Sequence, residues 1–128
     1  MSKKIGNILL ALESLHATGG FSYSFVTGEL NPTTGFTVAV SKENEKILHN
    51  LDTLTKEQIK QDAHLYALSH MEELVNKNRF FGAWTSENKL YLDVSEIVKT
   101  RKEAVKLCQE RQQIAYWDNA AGEAVEIN

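Results

Sequence analysis

The chain is poor in the residues that announce chemistry. It has one cysteine, Cys108, in 128 residues. That excludes an intrachain disulfide and any zinc site built from several thiolates, and it fits a reducing compartment. Neither sign of charge is in large excess: 14 basic and 17 acidic side chains leave a formal net charge of −3. A nonspecific nucleic-acid binder needs a basic surface to neutralise phosphates, and a DNA mimic is far more acidic, so neither DNA nor RNA is an expected partner. Long apolar runs are also missing. The start, Met1-Ser-Lys-Lys-Ile-Gly-Asn, leads into a stretch broken by Glu13 and His16, which fails both as a signal core and as a membrane span. A cytoplasmic protein with no membrane partner is expected.

Catalytic patterns are equally scarce. His64 and His70 lie six apart on one predicted helix and so point to different sides, and no His-Glu-x-x-His spacing occurs. There is no Gly-x-Ser-x-Gly elbow. Gly19 and Gly20 end a helix instead of opening one and are followed by no Gly-Lys-Ser/Thr, so they are not a phosphate loop. Glu72 and Glu73 are neighbours on a helix surface and do not converge. Cys108 falls on the apolar stripe of a helix and reads as a core thiol. The expectation is a protein that is not an enzyme, with no catalytic residue, metal or cofactor.

What is present is an ordinary globular composition, with 42% hydrophobic and 24% charged residues, in a length suited to one domain over 1–128. Ile5, Ile8, Leu9, Leu12, Leu15 and His16 trace one face of an N-terminal helix within 1–19, stopped by Gly19 and Gly20. In the remaining body, 20–128, Phe21 to Thr27 and Gly35 to Ser41 alternate like half-buried strands. The turn formers from Gly28 to Gly35 suggest a hairpin between them. Ser41 to Thr53 is polar and ambiguous. Thr55 and Gln58 form a capping box that opens a helix to about Asn76. Its apolar stripe is Ile59, Ala63, Tyr66, Ala67 and Leu74, widened by Leu68, Met71 and Val75. Arg79 to Thr85 and Lys89 to Val98 make a second hairpin around Thr85-Ser-Glu-Asn88. Thr100 and Glu103 cap another helix, and short strands are predicted at Ile114 to Trp117 and Ala124 to Ile127. The order α-β-β-α-β-β-α-β-β implies an α+β fold: a mostly antiparallel sheet built from hairpins, with two or three helices packed on it.

Three features stand apart. Two Trp, four Tyr and five Phe are many for a core of this size, and exposed rings stack on bases. Asp93 lies on the polar face of an otherwise apolar strand, between Tyr91 and Ser95. It is either solvent-facing, or a carboxylate placed to hold a ribose or an arginine. Arg111 extends the stripe of Ala104, Leu107 and Cys108. A cation near a helix C-terminus is favourable in itself, but one on a packed face needs an anion, for which a phosphate, Asp93 or Asp118 would serve.

The segment Phe81-Gly-Ala-Trp-Thr-Ser-Glu-Asn-Lys-Leu-Tyr-Leu-Asp-Val-Ser95, then Lys102-Glu-Ala104, then Glu110-Arg-Gln-Gln-Ile-Ala-Tyr-Trp-Asp118, resembles a pattern of small phage and actinobacterial proteins. Gly-Phe-Thr-Val-Ala-Val at Gly35 to Val40 fits it as well. The best-characterised proteins with this pattern are the phage Thoeris anti-defence family, first type. The resemblance covers most of residues 20 to 127. It implies a homo-oligomeric sponge in the host cytoplasm that binds a cyclic ADP-ribose isomer (the glyco-cyclic ADPR signal) tightly and leaves it intact, with pockets near subunit contacts. On that resemblance Phe81 or Trp84 stacks the adenine, Arg111 holds phosphate, and Asp93 and Gln113 hold ribose or shape the site. Tyr91 and Asn88, in the same motif, join the candidate set. The family pattern carries a second arginine on the last helix, and the basic side chains nearest that place are Arg101, Lys102 and Lys106. The rival readings are a protein-binding inhibitor or small regulatory module acting on a host defence factor, and a hydrolase of the same signal.

Overall fold

The structure, a computed structural model, describes residues 20–76 and 78–127. The helix expected between Ile5 and Ala17 lies outside these residues. In chain order the elements are β1 (Gly20–Tyr23), β2 (Phe36–Ala39), a 3₁₀ turn (Lys42–Asn44), β3 (Lys46–Leu48), a second 3₁₀ turn (Leu51–Thr53), α1 (Lys56–Ser69), α2 (Met71–Leu74), β4 (Arg79–Ser86), β5 (Lys89–Val98), α3 (Arg101–Glu110), β6 (Ala115–Asp118) and β7 (Glu123–Glu126). The fold is α+β, and every strand pairing is antiparallel. The sheet runs β1-β4-β5-β2-β6-β7, and β3 also pairs with β5.

The central pair forms where local chemistry is clearest. Ser86 and Lys89 face each other across a two-residue turn. Glu87 and Asn88 occupy the left-handed region, at φ 51° and 62°, which is the primed turn that matches strand twist. Asn88 locks it from outside: its amide exchanges bonds of 2.9 Å with the Asp52 carboxylate and the Asp52 N–H.

The front hairpin is not formed. β1 pairs with β4, while β2 pairs with β5 and β6. The chain after β1 folds back on itself instead of running on as a strand. Gly28 N–H bonds Ser24 O at 2.8 Å, Ser24 N–H bonds Glu29 O at 2.9 Å, and Asn31 N–H bonds Ser22 O at 2.8 Å. This closes the outer side of β1, so β2 finds its partners elsewhere.

Both halves of the capping box at Thr55 and Gln58 are made. The helix does not reach Asn76, however. His70 leaves helical geometry (φ −113°, ψ 17°) and separates α1 from α2; its ring lies on Tyr66, with centroids 4.1 Å apart. Ile59, Ala63, Tyr66, Ala67 and Leu74 are buried as expected, but Leu68 and Val75 are exposed, so the stripe is narrower than its sequence suggests. At α3 the Thr100 hydroxyl accepts the Glu103 N–H at 3.1 Å and donates to the Glu103 carboxylate at 3.0 Å. The helix ends with Gln112 at φ 57° and a 2.8 Å bond from Gln113 N–H to Cys108 O, a Schellman stop.

Cross-strand partners share a face. Leu90, Leu92, Val94, Glu96 and Val98 of β5 therefore turn to the helical side, and Tyr91, Asp93, Ser95 and Ile97 turn away. On the helical side α1 and α2 cover one cluster with Phe21, Tyr23, Phe81, Leu90, Leu92 and Val94. α3 covers a second, made by Val38, Ala104, Cys108 and Tyr116. Glu96 stands at the strand position between the two.

Candidate functional site

The face of the sheet away from the helices carries a row of aligned residues. Gly20, Trp84, Tyr91 and Ile47 are successive partners across β1, β4, β5 and β3. Trp84 and Tyr91 stack with centroids 4.1 Å apart and an angle of 8°. The indole remains 43% exposed. Its partner on β1 is a glycine with no side chain to cover the far side of the ring. One face of Trp84 is thus fixed by Tyr91, and β1 sends no side chain over the other.

One step along the strands lies the row Ser22, Gly82, Asp93. Asp93 is 6% exposed, so it is not a solvent-facing residue, and it accepts the Ser95 hydroxyl at 2.6 Å. Burial pushes its carboxyl up from 3.8 to about 6; the Ser95 bond opposes that rise and the charge of Glu45 adds to it. Gly82 makes room for the carboxylate. A Cβ there would fall well inside van der Waals contact of Asp93 Oδ1 and 3.3 Å from Ser95 Oγ.

Arg111 does point inward to an anion, but the anion is neither Asp93 nor Asp118. It is Glu96, bonded by Arg111 Nη2, while Nη1 donates to Ala39 O at 3.3 Å. Arg79 approaches the other oxygen of Glu96 at 3.7 Å. Asp118 is held by Arg101 at 3.1 Å, and Arg101 also donates to the Tyr116 hydroxyl at 3.1 Å and caps the Phe36 ring at 5.3 Å. Gln113 has a buried amide nitrogen with no hydrogen-bond partner. Lys106 is exposed on the outer side of α3; with Arg101, Lys102, Val105 and Gln109 it lines an open depression of about 490 Å³.

The candidates thus fall into three groups. Trp84 and Tyr91 meet, with Asp93 one row away. Arg111 lies on the helical side, just before Gln113, and Arg101 and Lys106 line α3. Phe81 is removed from the stacking role: it is fully buried, packed among Phe21, Phe25 and Tyr66 at 5.4, 6.4 and 5.6 Å, with no free ring face. Asn88 is engaged in its turn. Cys108 is a core thiol, kept protonated by burial and directed at Ala115 O at 3.6 Å.

Sequence reasoning missed Gly82, Arg79 and Glu96. Counting outward from the Glu87–Asn88 turn puts Gly82 opposite Asp93 and Arg79 opposite Glu96, so the signal was present in the hairpin register.

Among the described residues no group of His, Cys, Asp and Glu is placed to hold a metal ion, and no helix is long and apolar enough to cross a membrane. What fold and site define is a small α+β protein with an all-antiparallel sheet, a ring stack on one face and paired cations on the other. Compared with protein-family models, curated proteins and solved structures, the chain matches none.

Proposed function

We propose that this protein is a phage immune-evasion sponge that binds a cyclic ADP-ribose isomer in the host cytoplasm and holds it intact. The ordered motifs between Phe81 and Asp118 suggest the family. The observation that carries the reading is the half-exposed indole of Trp84, set parallel to Tyr91. A ring already held in place stacks on adenine at little entropic cost. The cations lie on the other side of the sheet, so a ligand that needs both rings and charge would bridge two copies. This agrees with pockets at the contacts of a homo-oligomer.

Calorimetry with cyclic ADP-ribose isomers tests the proposal. Base–aromatic stacking is worth about 1–3 kcal/mol, so Trp84→Ala is expected to weaken binding about 10- to 100-fold while leaving the unfolding midpoint nearly unchanged. No heat with any isomer would remove the reading.

A second reading rests on Leu65, Leu68 and Val75, large apolar side chains left exposed on α1 and just after α2. In this reading the protein is an inhibitor or regulatory module that docks on a host defence factor through that helical surface. Retention of one host protein by the wild type, lost on Leu65→Glu with Leu68→Glu, would favour it over the sponge.

A further inference from the structure

α1 is apolar on two sides. Ile59, Ala63, Tyr66 and Ala67 are buried against the sheet. Leu65 and Leu68 fall on the opposite side by helical spacing, and are 50% and 55% exposed. Val75 continues this outer stripe just after α2, at 54% exposure. A helix that is apolar all round is normally covered all round. Ahead of Gly20 the sequence carries a second stripe of helical spacing, Ile5, Ile8, Leu9, Leu12 and Leu15. Chain direction, length and charge bring the two stripes together. Gly20 pairs with Trp84, close to the Glu87–Asn88 turn. Asn88 in turn holds Asp52 at 2.9 Å, shortly before the Thr55 cap that starts α1. The chain thus enters the sheet at the end where α1 begins, so a helix before Gly20 laid on α1 runs antiparallel to it. Residues 5–15 as a helix span about 15 Å, roughly the reach of 65–75. His16 to Gly20, extended, cover about 17 Å, enough to pass from the sheet over a helix about 10–12 Å thick. Antiparallel, Lys3 and Lys4 come beside the exposed Glu72. The reverse direction would set them beside Lys56 and Lys60, where Glu57 already has Lys60 as a partner at 3.8 Å.

We propose that the outer face of α1 and α2 is the docking surface for residues 5–15 of the same chain, which lie antiparallel on it. Leu12 then meets Leu65, Leu9 meets Leu68, and Ile5 lies towards Val75. The sponge reading does not depend on this contact. The leucines acquire a different occupant from the host factor of the docking reading.

The test is disulfide trapping in the full chain, made clean by the burial of its single cysteine, Cys108. The paired variant Leu9→Cys with Leu68→Cys is oxidised mildly and followed on denaturing gels. It is expected to close within one chain about tenfold faster than Leu9→Cys with Glu123→Cys, because a disulfide needs its Cα atoms within about 7 Å. Ile5→Cys is likewise expected to close with Val75→Cys and not with Lys56→Cys. Equal rates for the facing and control pairs, or closure of Ile5→Cys with Lys56→Cys instead, overturn the proposal. Closure only between two chains overturns it too, and assigns the surface to a second copy. Hydrogen exchange gives a readout without new cysteines. Leu65→Glu, at an exposed position, is expected to speed exchange of residues 5–15 about tenfold or more while β5 keeps its protection. Exchange of residues 5–15 that is already free in the wild type, or unchanged by Leu65→Glu, contradicts the contact and leaves the leucines to another partner.

Discussion

Gly82→Ala is expected to lower the stability of the protein by about 3 kcal/mol, measured by denaturant unfolding. The added methyl meets Asp93 Oδ1 and Ser95 Oγ directly. Overpacking a filled site costs about 1–3 kcal/mol. Here the displaced atom also belongs to a buried carboxylate that accepts a 2.6 Å bond from Ser95, and disturbing such a bond adds about 1 kcal/mol or more. The effect is specific to this pair. In an Asp93→Ala background the same substitution is expected to cost less than about 1 kcal/mol, because the methyl then enters the space the carboxylate has left. Additive costs in the double-mutant cycle would show that Gly82 is needed for some other reason.

The second large effect is one of pH. The Asp93 carboxyl rises from 3.8 to about 6 in the folded chain because it is buried. Between those values the folded protein keeps a proton that the unfolded chain has already released. The contribution of this group to stability is therefore complete below about pH 4, falls as pH rises towards 6, and is flat above. A difference of about two pKa units corresponds to roughly 3 kcal/mol. Unfolding free energies measured from pH 4 to 8 should show this decline in the wild type. Asp93→Asn should lack it and be more stable than the wild type at pH 8. An unchanged pH profile in Asp93→Asn would mean that another group causes the decline. A carboxylate that costs stability at neutral pH, one row from the half-exposed Trp84, is also the kind of group that functional sites carry.

The parts of the fold that were legible in the sequence are those set by neighbours along the chain. The β4–β5 hairpin follows from clean alternation on both sides of a turn, and the Thr55 and Thr100 caps from three-residue spacing. The β1–β2 pairing was misread because alternation tells which side of a strand is buried and says nothing about its partner. The long helix breaks at His70, whose backbone leaves helical geometry where the apolar spacing continues unbroken. At the site, the inward direction of Arg111 was readable from the stripe it continues. Its partner Glu96 was not, because finding it takes the α3 packing and the β2–β5 register together. Phe81 and Trp84 looked interchangeable as stacking residues, yet they lie three apart on one strand and so face opposite ways. Only pairing with Val94 and Tyr91 respectively shows which is core and which is surface. Asp93 read either as a solvent-facing residue or as a carboxylate holding a ribose or an arginine, and alternation along β5 could not show that it is buried, with Ser95 as its hydrogen-bond donor.

The central claim is sequestration without chemistry. The direct measurement is to mix the protein with a cyclic ADP-ribose isomer, remove free ligand, release what is held by heating, and weigh it by mass spectrometry. The expected result is recovery of the cyclic isomer at unchanged mass and in near-stoichiometric amount. Recovery of linear ADP-ribose, or of nothing from any isomer offered, would contradict it.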